Sequence, residues 1–167
     1  MIRCYKRVFI ISIFSILTAI SGCSTYSLGL QSFFVEFGVM QYYIPQMKWK
    51  GKNASAILDF TFRQSTLNGR AVCNISFTNK KHSPKAVNQV VFIADGMEYR
   101  IHEISPMFRE YSEKLVRVSM NINEEYFLKI LASKSLKISA VIDGLEYEFY
   151  PPKSFMRIKN ELYENLV

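Results

Sequence analysis

The sequence is poor in the residues that carry most recognisable chemistry. Its 167 residues include three cysteines, two histidines, one tryptophan, seven glycines and five prolines. Three cysteines cannot build a disulfide-dense scaffold. So few glycines and prolines exclude collagen-like and low-complexity architectures. The histidines, His82 and His102, have no cysteine or carboxylate pair at ligand spacing, so no metal site and no cofactor is expected. No nucleophile-elbow motif or glycine-rich phosphate loop occurs, and a Ser–His–acid triad, being spatial, stays open. What is abundant is apolar: 49% of residues are hydrophobic and 14% aromatic, too many for a disordered chain. The length suits one domain with a short appendage.

The appendage is at the start. Arg3, Lys6 and Arg7 precede a stretch from Val8 to Ile20 interrupted only by Ser12, Ser15 and Thr18. That is the layout of a secretory signal, and it falls short of the roughly 20 apolar residues that a permanent spanning helix wants. The stretch ends in Ile20-Ser21-Gly22-Cys23, which resembles the lipobox of bacterial lipoproteins: an aliphatic residue, two small ones, then cysteine. Ile20 departs from the leucine most common there. The resemblance implies that residues 1–22 are a signal peptide removed by a peptidase that recognises Ile20, Ser21 and Gly22. It also implies that Cys23 carries a thioether diacylglycerol and an N-acyl chain, which anchor the mature protein to a bilayer. An uncleaved signal anchor is the competing reading. Ser24 follows the cysteine, and in enterobacteria-like lipoproteins serine there permits transfer outward, so the expected home is the cell envelope, at the outer rather than the inner membrane.

Removing the leader changes the charge. It takes three of the 21 basic residues and none of the 14 acidic ones, so +7 becomes +4 and a nucleic-acid partner is no longer implied. Lys80-Lys81-His82 with Lys85 reads as a solvated loop tip. Lys48, Lys50 and Lys52, alternating around Trp49 and Gly51, read as the start of an exposed strand, or as a contact with anionic headgroups. Cys73 is the only thiol left free, and alternation puts it on one face with Ala71, Ile75 and Phe77, as a buried core residue rather than a nucleophile.

Three regions follow: the leader 1–22, a lipidated and aromatic-rich segment 23–50 that either tethers or packs, and a β domain 51–167. Within 28–44, Leu30, Phe33, Phe34, Phe37 and Met40 fit a helical stripe, whereas Gly29, Gly38 and the aromatic density fit a strand. From Ala54 the period is 2: Ala56, Leu58, Phe60 and Phe62 share a face. Asn68-Gly69 predicts a hairpin into a strand over 71–78, and Asp95-Gly96 and Asp143-Gly144 predict two tight turns. Val116, Val118, Met120 and Ile122 form the buried face of another strand. Asn123-Glu124-Glu125 opens a short helix with Phe127, Ile130 and Leu131 inward, a better account of the two glutamates than an acid/base pair. Pro151-Pro152 opens a last helix with Phe155, Ile158, Leu162 and Leu166 on one face. Asp95-Gly-Met-Glu-Tyr99 and Asp143-Gly-Leu-Glu-Tyr147 share four of five residues; a duplicated hairpin and two independent hairpins both account for that.

The fold class expected is mainly β, an antiparallel sandwich-like domain with a short internal helix and a C-terminal helix. Phe127, Leu131, Leu136-Lys-Ile138, Asp143-Gly144, Tyr147-Glu-Phe149 and Phe155 make the closing segment similar to small secreted bacterial β-sandwich proteins of the invasion-associated locus B type, which implies a sandwich and no activity. The functional expectation is a non-enzymatic binding or assembly module tethered in the envelope, with another envelope protein or ligand as partner. A surface adhesin and an envelope hydrolase are the alternatives.

Overall fold

The computed structural model describes residues 29–36, 38–64, 69–81, 83–110 and 114–167. Residues 1–28, with Ile20, Ser21, Gly22 and Cys23, therefore lie outside the described residues, as do His82 and residues 65–68, which include Asn68 of the expected Asn68-Gly69 hairpin. The chain forms β1 (Gln31–Glu36), β2 (Val39–Lys50), β3 (Ala54–Gln64) and β4 (Arg70–Asn79) in succession. It then crosses to a second sheet for β5 (Val87–Ala94) and β6 (Met97–Ile101), and returns for β7 (Ile104–Glu110) and β8 (Leu115–Asn123). The helix α1 (Glu124–Ala132) leads back to β9 (Leu136–Ile142) and β10 (Leu145–Phe149) in the second sheet, and α2 (Lys153–Leu166) closes the chain. The large sheet has the order β1-β2-β3-β4-β8-β7 and the small one β10-β9-β5-β6. Every pairing is antiparallel. This is the sandwich-like, mainly β domain with an internal and a C-terminal helix that the alternation predicts.

Alternation also decides what lies between the sheets. Ala56, Leu58, Phe60 and Phe62 of β3, Ala71, Cys73, Ile75 and Phe77 of β4, and Val116, Val118, Met120 and Ile122 of β8 are all buried. Val90, Phe92 and Ala94 of β5 and Ile138, Ala140 and Ile142 of β9 face them from the small sheet. The helices fill the rest: Phe127, Ile130 and Leu131 from α1, and Phe155, Ile158 and Leu162 from α2. Asn123 caps α1, its side chain accepting the Tyr126 N–H at 2.8 Å. The two sheets are also stitched through backbone, Lys50 and Tyr150 exchanging N–H to O bonds of 3.1 and 2.9 Å. Gly51 permits that approach, because a Cβ there would sit 2.6 Å from the Glu148 carbonyl oxygen.

Within 28–44, residues 31–36 and 39–44 are strand, not helix, and Phe37 lies outside the described residues. The helical stripe through Leu30, Phe33, Phe34, Phe37 and Met40 is overridden because β2 pairs with β3 along its length, burying Tyr42, Ile44, Met47 and Trp49. The described residues of 23–50 behave in two ways. β2 packs, while Phe33, Phe34 and Val35 of β1 remain 52, 80 and 46% exposed. The strand β7 was not anticipated, since Pro106 interrupts its pattern; it is an edge strand with a register shift between Pro106 and Phe108, where a proline is tolerated.

The repeated Asp-Gly pentapeptide has a structural counterpart. In the β5–β9 register, Val90 pairs with Ala140 and Phe92 with Ile138, and a shift of 48 positions exchanges those pairs. A local two-fold axis thus runs through the Val91–Ser139 pair, with β6 and β10 outside it. Both aspartates take positive φ, 49° at Asp95 and 53° at Asp143, and the glycines follow at 83° and 79°, as two-residue turns of this kind require. Each carboxylate does the same job across the axis. Asp95 accepts the N–H groups of Lys134 and Ser135, and Asp143 accepts those of Lys85 and Ala86. Shared roles at equivalent positions account for the Asp and Gly identities, while Glu98 pairs with Arg100 and Glu146 with Ser139.

The Ser135 and Lys134 amides hold the Asp95 carboxyl below its ordinary value near 3.8. A depressed carboxyl contributes stability above the unfolded-state value and loses it as pH falls through the folded-state value. Asp95→Asn is expected to flatten the acid limb of stability against pH, below about pH 4, in urea titrations. An unchanged acid limb would contradict the capping role.

Candidate functional site

A recess lies where the chain crosses between sheets. The link from β6 to β7, His102-Glu103, passes the end of β8 and the start of β4 and α1, leaving a groove of about 570 Å³. Arg70, Arg100, His102, Glu103, Asn121, Glu124 and Tyr126 line it. Its carboxylates are committed to the framework. Glu124 accepts the Gly69 N–H at 3.0 Å, and Glu103 accepts from Asn121 Nδ2 at 3.2 Å. His102 is exposed, and among the described residues no hydrogen bond joins it to either glutamate. The groove is therefore a mixed-charge recess, with donors and acceptors arranged for contact rather than a histidine held by an acid for proton transfer.

The remaining sequence candidates are scattered. Glu125 points away from the groove to an i,i+4 pair with Lys129 at 2.5 Å, so the adjacent glutamates act separately, as helix-start residues. Lys48, Lys50 and Lys52 are exposed around buried Trp49, and Lys80 and Lys81 are exposed at the end of β4. On the outer face of the small sheet, Glu146 accepts from Ser139 Oγ at 2.6 Å. Glu148 is paired with Lys137 at 2.5 Å and accepts from the Tyr150 hydroxyl. Lys137 and Tyr150 hold the Glu148 carboxyl below its usual range. Among the described residues, no group of three or more His, Cys, Asp or Glu side chains can hold a metal ion, and no helix is long and apolar enough to cross a membrane.

Two arrangements escape sequence reasoning. The first is a polar network on the outer face of the large sheet. Asp59 on β3 is 2.7 Å from both Arg117 on β8 and Asn74 on β4, and Arg117 also donates to Ser76 Oγ at 2.8 Å. Period-2 alternation places each of these outward, but only the β3–β4–β8 order brings them together, with Asp59 opposite Asn74 and Ser76 opposite Arg117 in two neighbouring rows. The second is Lys159, fully buried on α2 beside a cleft of about 480 Å³ between the helices. Its ammonium donates to the carbonyl oxygens of Leu131 and Ser133, closing the C-terminal end of α1 as a cation should. Lys159 falls on the buried stripe of α2, four residues after Phe155 and three before Leu162, so helical spacing marks its position, whereas its partners on α1 leave no trace in the sequence of α2.

The chain matches no protein-family model, no curated protein and no solved structure.

Two outcomes are expected. Burial is the main reason the Cys73 thiol ionises well above its ordinary value, and the side chain is 0% exposed. A bulky thiol reagent should label Cys73 only after denaturation, and fast labelling of the native protein would contradict the β4 register. Lys159→Met leaves two helix-end carbonyls without their donor and should lower stability by about 1–3 kcal/mol in urea titrations. Desolvation lowers the Lys159 pKa, so wild-type stability should rise as pH climbs from the folded-state value towards 10.5. The methionine variant should lack that rise.

Proposed function

We propose that the protein is a lipid-anchored module of the bacterial cell envelope that binds or assembles with another envelope component and catalyses no reaction. The observation that carries this reading is Ile20-Ser21-Gly22-Cys23 at the end of a basic and then apolar leader. Small residues at 21 and 22 suit an extended backbone in a peptidase site beside a bilayer, and the thiol of Cys23 supplies the nucleophile for diacylglyceryl transfer. At about 0.8 kcal/mol per buried methylene, one acyl chain binds marginally, whereas two or three hold firmly. The anchor confines the domain to a surface and raises its effective concentration for neighbours there.

The domain's architecture supports the same reading. Only residues 24–28 separate Cys23 from the start of the described domain at Gly29, so the domain stands within about 20 Å of the lipid. The groove beside His102 offers two arginines, two glutamates and Tyr126 to a mixed-charge partner. What supports a binding role over a hydrolytic one is the commitment of Glu103 and Glu124 to Asn121 and the Gly69 amide. Ser24 favours the outer membrane.

Growth with radioactive palmitate tests the anchor. The wild-type protein should take up label and have its N-terminus at Cys23. Cys23→Ala should take up none and retain residues 1–22. Unlabelled wild-type protein, or label surviving in Cys23→Ala, would overturn the reading.

A further inference from the structure

We propose that β1 is a membrane-contacting edge: Phe33, Phe34 and Val35 insert into the interfacial layer of the bilayer to which the domain is tethered. The proposal deepens the lipid-anchor reading and rests on it for the nearness of the membrane.

The first ground is how the four sheet edges differ. β6 carries exposed Glu98 and Arg100, β10 carries exposed Glu146 and Glu148, and β7 is broken by Pro106 and the adjoining register shift. Charges, prolines and bulges are the usual guards against edge-to-edge pairing. The exposed stretch of β1, Ser32-Phe-Phe-Val-Glu36, has a register shift after Phe34 and a single charge at its far end, Glu36. Three consecutive apolar side chains stand out in solvent there, with Phe34 80% exposed. An apolar edge of this kind marks a contact surface.

The second ground is the direction of the side chains, which selects the occupant. Phe33 pairs with Gln41 and Phe34 with Met40. Phe33 therefore stands on the outer face of the sheet with Arg63, and Phe34 on the inner face, so the apolar groups flank the edge on both sides. A strand added from a second copy would occupy the backbone groups but leave both rings on the faces, and a stacked sheet would cover one ring only. An interfacial lipid layer receives both. It also supplies water and headgroups to the free N–H and C=O groups of the edge, which hydrocarbon would not.

The third ground is the neighbouring charge and the chain path. Across the large sheet, Phe33, Gln41, Arg63 and Arg70 fall in one row on the outer face. Arg63 donates Nε–H to Gln41 Oε1 at 2.7 Å, and both arginines are exposed. Aromatic rings beside cations suit an anionic headgroup layer. β1 is also the first described element after Cys23, with only residues 24–30 between them in the sequence, so this edge is the nearest described element along the chain to the proposed anchor.

The test uses the full-length, processed protein in vesicles of phosphatidylcholine with a minority of phosphatidylglycerol, brominated at shallow acyl positions. Phe34→Trp places a reporter at the edge, and Phe108→Trp places one on β7, five strand spacings away, roughly 24 Å. Both positions are exposed, so neither substitution disturbs the core, and the buried Trp49 gives a constant background. Emission from Trp at 34 should shift to the blue and lose most of its intensity to the brominated lipid, while emission from Trp at 108 stays unchanged. Unquenched emission at 34 would overturn the proposal. So would equal quenching at both positions, or a blue shift at 34 that grows with protein density without quenching, which would mean that a second copy covers β1. Palmitate label on the same preparation reports separately on the anchor, so failure of the edge contact and failure of the lipid reading give different results.

Discussion

The fold depends on the side chain of Phe60. From the middle of β3 its ring stands 6.1 Å from Phe92 in the small sheet, 6.0 Å from Phe127 in α1 and 5.8 Å from Phe155 in α2. Four separate elements meet on one buried residue. Phe62 extends the stack to Phe127 at 5.1 Å, and Trp49 receives Phe155 edge-on at 4.9 Å. Aromatic rings supply large apolar area with few rotamers, which suits a junction where two sheets and two helices must agree in position. The small sheet has four strands against six, and the helices cover inner surface of the large sheet that the small one leaves open. Phe127 and Phe155 belong to the core for that reason.

Much of this was legible locally. Alternation marks β3, β4, β5, β8 and β9 because each has one face against the core, and the two Asp-Gly turns declare themselves through residues that tolerate positive φ. The helix start at Asn123 is readable because an asparagine cap and two first-turn glutamates are local chemistry. The exceptions each have a long-range cause. Pairing with β3 decides that 39–50 is strand, overriding a helical spacing of apolar residues. β7 survives a proline because only one of its edges is hydrogen-bonded. Lys159 is buried because the C-terminal end of α1 happens to need a donor where α2 passes, a requirement invisible in the sequence of α2.

The functional features divide in the same way. The proposed lipobox at Cys23 rests on a short stretch of sequence, because a peptidase and a lipid transferase would read a short extended segment in which spacing along the chain is the chemistry. The groove beside His102 is not, since β4, the β6–β7 link, β8 and α1 contribute to it from widely separated stretches. Nor is the Asp59–Arg117 pair, which needs the insertion of β8 beside β4. The two arrangements have one consequence in common: the polar side chains of the body hold its surfaces in shape, while β1 exposes three consecutive apolar side chains, Phe33, Phe34 and Val35, at a sheet edge. The proposed lipid anchor a few residues upstream would give such an edge a use.

The intact mass of the protein extracted from membranes tests the central claim most directly. The account predicts a chain beginning at Cys23, heavier than residues 23–167 by a diacylglyceryl group and an N-linked acyl chain. A chain that begins at Met1, or one cleaved elsewhere and free of lipid, would contradict it.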